Sequence, residues 1–214
     1  MNVNNAGDLK REILDCVENV GTAIESFPWE NSVAYGNWLA QTYYFVRHTT
    51  SFLALTASKF GPSQRDRQYF QLRHLREESG HDQMLLSDLA ALGLDLQRFE
   101  ELPETAALYQ TQYYFIQNEF PAAHWAYAYF LEGLAAKKIP LIIARVESTH
   151  SAGASEFLRC HMDEDQGHFE RGLTLVDGLD DAESDSFARN LRQCAYFYPR
   201  MLKHVQKLAS LRAK

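Results

Sequence analysis

His161-Met162-Asp163-Glu164-Asp165-Gln166-Gly167-His168 sets a histidine, a carboxylate and a second histidine at offsets of four and seven residues. On an α-helix those offsets return to one face, within a sector of about 60°. One helix then presents imidazole, carboxylate and imidazole as a row. His74-Leu75-Arg76-Glu77-Glu78-Ser79-Gly80-His81 has the same arrangement. With 8 His and 28 acidic residues scattered among 214, about 0.04 such triplets are expected by chance, so two form a signal. A solvated charged face is the competing reading of each row taken singly. Together, two rows of nitrogen and oxygen ligands on two helices suit a metal held between them.

Around these rows apolar residues recur at helical spacing, and no alternating strand pattern is found. Leu9, Ile13, Leu14, Val17, Val20 and Ile24 stripe a first helix, which Ser26-Phe27-Pro28-Trp29 ends, because a residue before proline is disfavoured in α. A second helix is expected over 32–60, stopped by Gly61-Pro62, and a third over 64–92, carrying the first row. Pro103 opens a fourth to about 118, and Pro121 a fifth with a kink or break at Pro140. A sixth, over 154–178, carries the second row; the last runs from the polar Asp180–Ser184 to about 211 and kinks at Pro199. The expectation is an all-α bundle of about seven helices in a single domain, 1–214.

Composition limits the partners. A 46% hydrophobic and 23% charged content is that of a soluble globular protein. A net charge of −7 disfavours nucleic acid and anionic membrane, both of which need a basic face. No apolar run reaches bilayer length, and the first eight residues have neither the basic nor the apolar segment of a signal peptide. Three widely spaced cysteines, Cys16, Cys160 and Cys194, point to reduced thiols and a cytoplasmic setting.

Outside the rows, Glu132 stands alone in Tyr129-Phe130-Leu131-Glu132-Gly133-Leu134. A carboxylate on an apolar face is paired, protonated or metal-bound. His48, beside the apolar Tyr43–Val46 run, is a ligand or base candidate against the reading of a satisfied core histidine. Arg47 could hold a substrate carboxylate or pair with a local acid. Tyrosines grouped with Phe and Trp are mostly core, yet their hydroxyls need partners, so some line a pocket. His124, His150 and His204 receive no role. Cys160, about 100° from His161 around the helix, is read as neither ligand nor nucleophile.

These residues resemble those of the heme-oxygenase-like diiron oxidases and oxygenases, relatives of the TenA and pyrroloquinoline-quinone synthase families. The resemblance runs through Tyr43–His48, His74–His81, Leu131-Glu132-Gly133 and His161–His168. It implies a heme-oxygenase-like helical fold and metal ligands His81, Glu132, His161, Asp165 and His168, with Glu132 bridging. His74, Glu78 and His48 compete for the last position. It further implies a dinuclear non-heme iron cofactor, with manganese or another divalent metal as a variant, and O₂-dependent oxidation of an amino acid, amine or fatty acid. Glu132, His48 and Arg47 are then the candidate catalytic residues. The expected partners are a small-molecule substrate, O₂ and a second copy in a homodimer. A metal-independent TenA-like or quinone-synthase-like enzyme and a non-catalytic metal- or ligand-binding protein are the alternatives.

Overall fold

The computed structural model describes residues 5–151 and 153–212, and among them α-helices and short 3-10 turns are the only regular elements. The α-helices are α1 (Asn5–Glu25), α2 (Ser32–Val46), α3 (Thr49–Lys59), α4 (Arg65–Glu77), α5 (His81–Ala91), α6 (Pro103–Asn118), α7 (Trp125–Thr149), α8 (Glu156–Leu175) and α9 (Asp181–Arg212). They form seven rods, two of which are interrupted. The rod over 32–60 breaks at Arg47–His48 into α2 and α3, and the rod over 64–92 breaks at Glu78–Gly80 into α4 and α5. Gly80 adopts φ 100° at the second break, a backbone state that glycine enters without the Cβ clash other residues suffer. α3 packs on α4 and α2 on α5, so the two broken rods lie side by side. Pro140 and Pro199, where kinks or breaks were expected, lie within α7 and α9, and both helices are continuous. Packing of α7 against α1, α8 and α9 offsets the one backbone hydrogen bond each proline removes.

Side chains close several of the helix ends. Trp29, in the turn after α1, donates its indole N–H to the Ile24 carbonyl at 2.7 Å, closing a C-terminal acceptor. Asn31 caps α2, accepting from Val33 and Ala34 N–H at 3.0 Å. α8 is capped from a distance: Ser155 makes no side-chain cap bond, and Asp88 of α5 accepts from the N–H groups of Glu156 (2.9 Å) and Phe157 (3.1 Å). This bond pair fixes α8 against α5.

One apolar cluster runs from Leu9 to Ala209. α7 and α8 approach closely through glycines. A Cβ on Gly133 would lie 2.7 Å from Phe169 Cε2, and one on Gly172 would overlap the Tyr129 ring. Among the described residues no helix is long and apolar enough to cross a membrane. The signal-peptide reading concerns a stretch whose first four residues lie outside the described ones.

Candidate metal centre

The break at Gly80 and the close α7–α8 contact bring both rows to one place. α4 supplies His74, the following turn Glu78, and the first residue of α5 is His81; α7 supplies Glu132, and α8 supplies His161, Asp165 and His168. Glu78 lies between two histidine pairs. Its Oε1 is 3.3 Å from His74 Nε2 and its Oε2 is 3.2 Å from His81 Nδ1. The rings of His74 and His168 are 5.2 Å apart, and those of His81 and His161 are 4.9 Å apart. Glu132 Oε1 sits 3.4 Å from His74 Nε2, and Asp165 Oδ1 sits 3.4 Å from His168 Nδ1. The seven residues read as ligand candidates in the two rows and on the central helix thus meet in two lobes that share Glu78.

Several of these atoms lack hydrogen bonds. His81 Nδ1, His168 Nδ1 and Glu132 Oε2 are buried without one. Orphaned buried donors and acceptors cost free energy unless something else satisfies them. A set of imidazoles and carboxylates turned toward one another fits a divalent cation of the iron, manganese or zinc type.

Without a cation, protons take its place. Burial pushes Glu132 up to about 8 and Asp165 well above the carboxylate range. Burial also raises Glu78, but contacts with His74 and His81 outweigh it and hold that carboxyl low. Burial lowers His74 and His81, yet Glu78, with Glu132 beside His74, raises both overall. Burial lowers His161. The raised histidines contribute stability below their unfolded value of 6.5 that is lost as pH rises through the folded value. Between 4.5 and about 8 the unfolded state ionises Glu132 while the folded state keeps it protonated, so stability falls across that window; Asp165 acts in the same direction, and the lowered His161 opposes them only up to its unfolded value of 6.5. Metal-free protein will therefore melt at a lower temperature at pH 8 than at pH 6, as thermal unfolding followed by circular dichroism will show. Saturation with Fe(II) or Mn(II) will remove that slope, because binding displaces these protons. A metal-free melting temperature that rises from pH 6 to pH 8 would contradict this account.

A cavity of about 110 Å³ opens on the cluster. His74, Glu78, Glu132, His161 and Asp165 line it, and most of the remaining wall is apolar, including Trp38, Phe45, Leu53, Leu131 and Phe157. His48 and Arg47 are not brought to the cluster. His48 precedes α3, stacks on Tyr109 with ring centroids 4.1 Å apart, and its Nδ1 is 3.0 Å from the Tyr113 hydroxyl. Arg47 is exposed, 3.7 Å from Glu101, with its guanidinium over the Tyr44 ring. The sequence placed both beside an apolar run, and the break between α2 and α3 turns them away from the cavity.

The family described as "Iron-containing redox enzyme" matches residues 36–198, a span that holds both histidine rows and Glu132. The chain belongs to the iron-containing redox enzyme family. No curated protein matches it. Among solved structures, a domain of unknown function with a heme oxygenase-like fold from Shewanella denitrificans is similar at a TM-score of 0.82 and 21% identity, over 97% of this chain and 94% of that one. A TenA homolog from Pseudomonas syringae pv. tomato is similar at 0.76 and 12% identity, over 92% of each chain. A CADD-like protein of unknown function from Nostoc punctiforme is similar at 0.64 and 15%, over 96% of this chain and 94% of that one. These likenesses show the heme-oxygenase-like fold.

In this chain the carboxylate that contacts both lobes is Glu78, whereas the resemblance assigned the bridge to Glu132, which contacts His74 alone among the histidines of the rows. Three further residues join the cluster. Cys160 Sγ lies 3.7 Å from His81 Nε2. Glu77 Oε2 is 3.4 Å from His168 Nε2, and Glu164 Oε2 is 3.8 Å from His81 Nε2. Cys160 and Glu164 are four residues apart on α8, so they share a stripe next to the one bearing His161. That spacing was the available signal, and it has meaning only once α5 is known to pack there. Burial pushes the Cys160 thiol up to about 12, which keeps it protonated and poorly nucleophilic.

Proposed function

We propose that this protein is a non-heme diiron oxidase or oxygenase that uses O₂ on a small organic metabolite seated in the cavity. The observation that carries the reading is the Glu78 carboxylate set between two histidine pairs on the wall of an apolar cavity. His74, His168 and Glu132 would hold one ion, and His81 and His161 the second. Glu78, in contact with His74 and His81, would serve both, and Asp165 would add a carboxylate beside His168. Bound iron would supply the electrons and the open positions that O₂ chemistry needs. The protein contributes fixed ligands and apolar walls that keep water from the reacting centre. Lys138 is the only lysine or arginine among the described lining residues, and its ammonium is held by Glu25 at 2.8 Å and Glu18 at 3.2 Å. Of the amino acid, amine and fatty acid classes, that lining favours a largely apolar chain. A metal-independent TenA-like enzyme would require a nucleophilic cysteine, and Cys160, the cysteine at the cluster, is held protonated.

Anaerobic Fe(II) titration of chelator-treated protein, followed by oxygenated buffer, tests the proposal. Two ions bound per chain and O₂ uptake faster than that of the same Fe(II) in buffer are expected. No retained iron rules the proposal out. Iron retained without O₂ uptake leaves a metal-binding protein.

A further inference from the structure

Of the polar side chains that line the same cavity outside the carboxylate–histidine cluster, three are buried with unmatched polar atoms: Thr42 of α2, His124 of the 3-10 turn Pro121–His124, and Tyr127 in the first turn of α7. Their exposures are 2%, 1% and 3%. Thr42 Oγ1, both ring nitrogens of His124 and the Tyr127 hydroxyl make no hydrogen bond within the protein. Each such group left unmatched in an apolar surround costs about 1–3 kcal/mol. A fold that needed only filling at these positions would be served equally by valine and phenylalanine.

The chemistry of the trio is neutral. Burial drives His124 down to about 3, so its ring carries one N–H and one lone pair. Burial keeps the Tyr127 phenol protonated. Phe52 packs on both rings, 5.3 Å from His124 and 5.9 Å from Tyr127 between centroids. The trio therefore offers donors and acceptors within one cavity and no charge of its own. An ionised carboxylate or ammonium placed against it would find no opposite charge in the trio itself, the charged groups within reach, Glu78 and His74, belonging to the cluster.

We propose that Thr42, His124 and Tyr127 form a hydrogen-bonding subsite that selects an uncharged polar group, a hydroxyl or an amide, on the molecule bound in this cavity. The proposal rests on the reading that the cavity receives the substrate, and it does not require the metal. It separates two tasks within one cavity: the cluster does the redox chemistry, and the trio sets the register of the ligand against it.

The test uses the full chain after chelator treatment and a matched pair of probes, phenol and toluene, which differ by a hydroxyl in place of a methyl. In a cavity without partners toluene binds better, because phenol must give up its bonds to water. Wild type is expected to bind phenol about tenfold more tightly than toluene, the worth of one or two well-placed hydrogen bonds, read by isothermal titration calorimetry. Thr42→Val and Tyr127→Phe keep size and remove one hydroxyl each. Each is expected to narrow the preference, with the melting temperature unchanged or raised because an unmatched polar atom is gone. Equal or reversed affinities in wild type, the result if water alone serves these atoms, overturn the proposal. So does a phenol preference that survives the combined Thr42→Val, His124→Phe, Tyr127→Phe variant. A fall in melting temperature with no change in preference assigns these atoms to the fold and also overturns it. Because the titration is done without metal, its failure leaves Fe(II) binding by reconstituted wild type, and the diiron reading, standing.

Discussion

Glu78→Ala will fold and will not hold iron. After anaerobic loading and desalting, metal analysis will find less than one ion per chain where wild type retains two. The affinity of whatever remains will have dropped by at least about a hundredfold, the upper end of what even residues outside the coordination shell cost when removed. The size of the effect follows from position. Glu78 is in contact with both His74 and His81; without it four imidazoles face one another with no carboxylate common to the two pairs. Losing one ligand from one lobe would halve the metal content, whereas losing the carboxylate common to both empties the centre. Glu78→Gln will behave in the same way, because the amide keeps the shape and loses the charge. His48→Ala is the control and will retain two ions, since His48 sits against Tyr109 and Tyr113 away from the cluster. Retention of both ions by Glu78→Ala would show that the lobes do not depend on a common carboxylate. The helical circular dichroism signal of the variant distinguishes metal loss from unfolding.

Gly172→Ala will destabilise the protein by about 2 kcal/mol, although alanine is the better helix former by about 1 kcal/mol. The new methyl group would overlap the ring of Tyr129, itself fully buried beside Trp125 and Phe187. A rigid ring in a packed core yields only if the backbones separate. The helices that must part are α7 and α8, which carry Glu132 and the row His161, Asp165 and His168. The variant will therefore lose iron as well as stability. Gly167→Ala supplies the comparison on the same helix. Its methyl would meet only the flexible end of Arg171, at 3.2 Å, and it will gain about 0.5–1 kcal/mol. For a chain of this size 1 kcal/mol is about 2–4 °C in Tm, so thermal melts resolve the difference in sign. A Gly172→Ala variant as stable as wild type would mean that α7 and α8 can move apart freely.

Much of this architecture was legible in the sequence, because helical periodicity is a local property. The stripe of α1, the proline at the start of α6 and the two histidine rows each follow from residues within a turn or two of one another. The break between α4 and α5 was not legible: Gly80 reads as one glycine inside a helical pattern, and only its positive φ shows that the helix ends there. With the break unseen, Glu78 competed with His74 and His48 for a last position, whereas in the structure it faces both lobes. Cys160 was set aside by its rotation from His161, a correct statement about α8 that could not include α5 packing alongside. Asp88 was invisible for the same reason, since it caps a helix that begins 68 residues later. The rows could be read; the groove between helices, where neighbours in space are remote in sequence, could not.

The turn at Gly80 also has a mechanical meaning. An unbroken rod would tie His74 and His81 to a single rigid axis, and neither could shift without the other. The break hangs them on separate supports: α4 leans on α3, while α5 leans on α2 and is latched by Asp88 to the start of α8. Glu78 belongs to the link between the two. The centre is thus a joint, with two half-sites carried on their own frames and a single carboxylate as the pin, so that the spacing between the halves is set at the pin rather than by either frame.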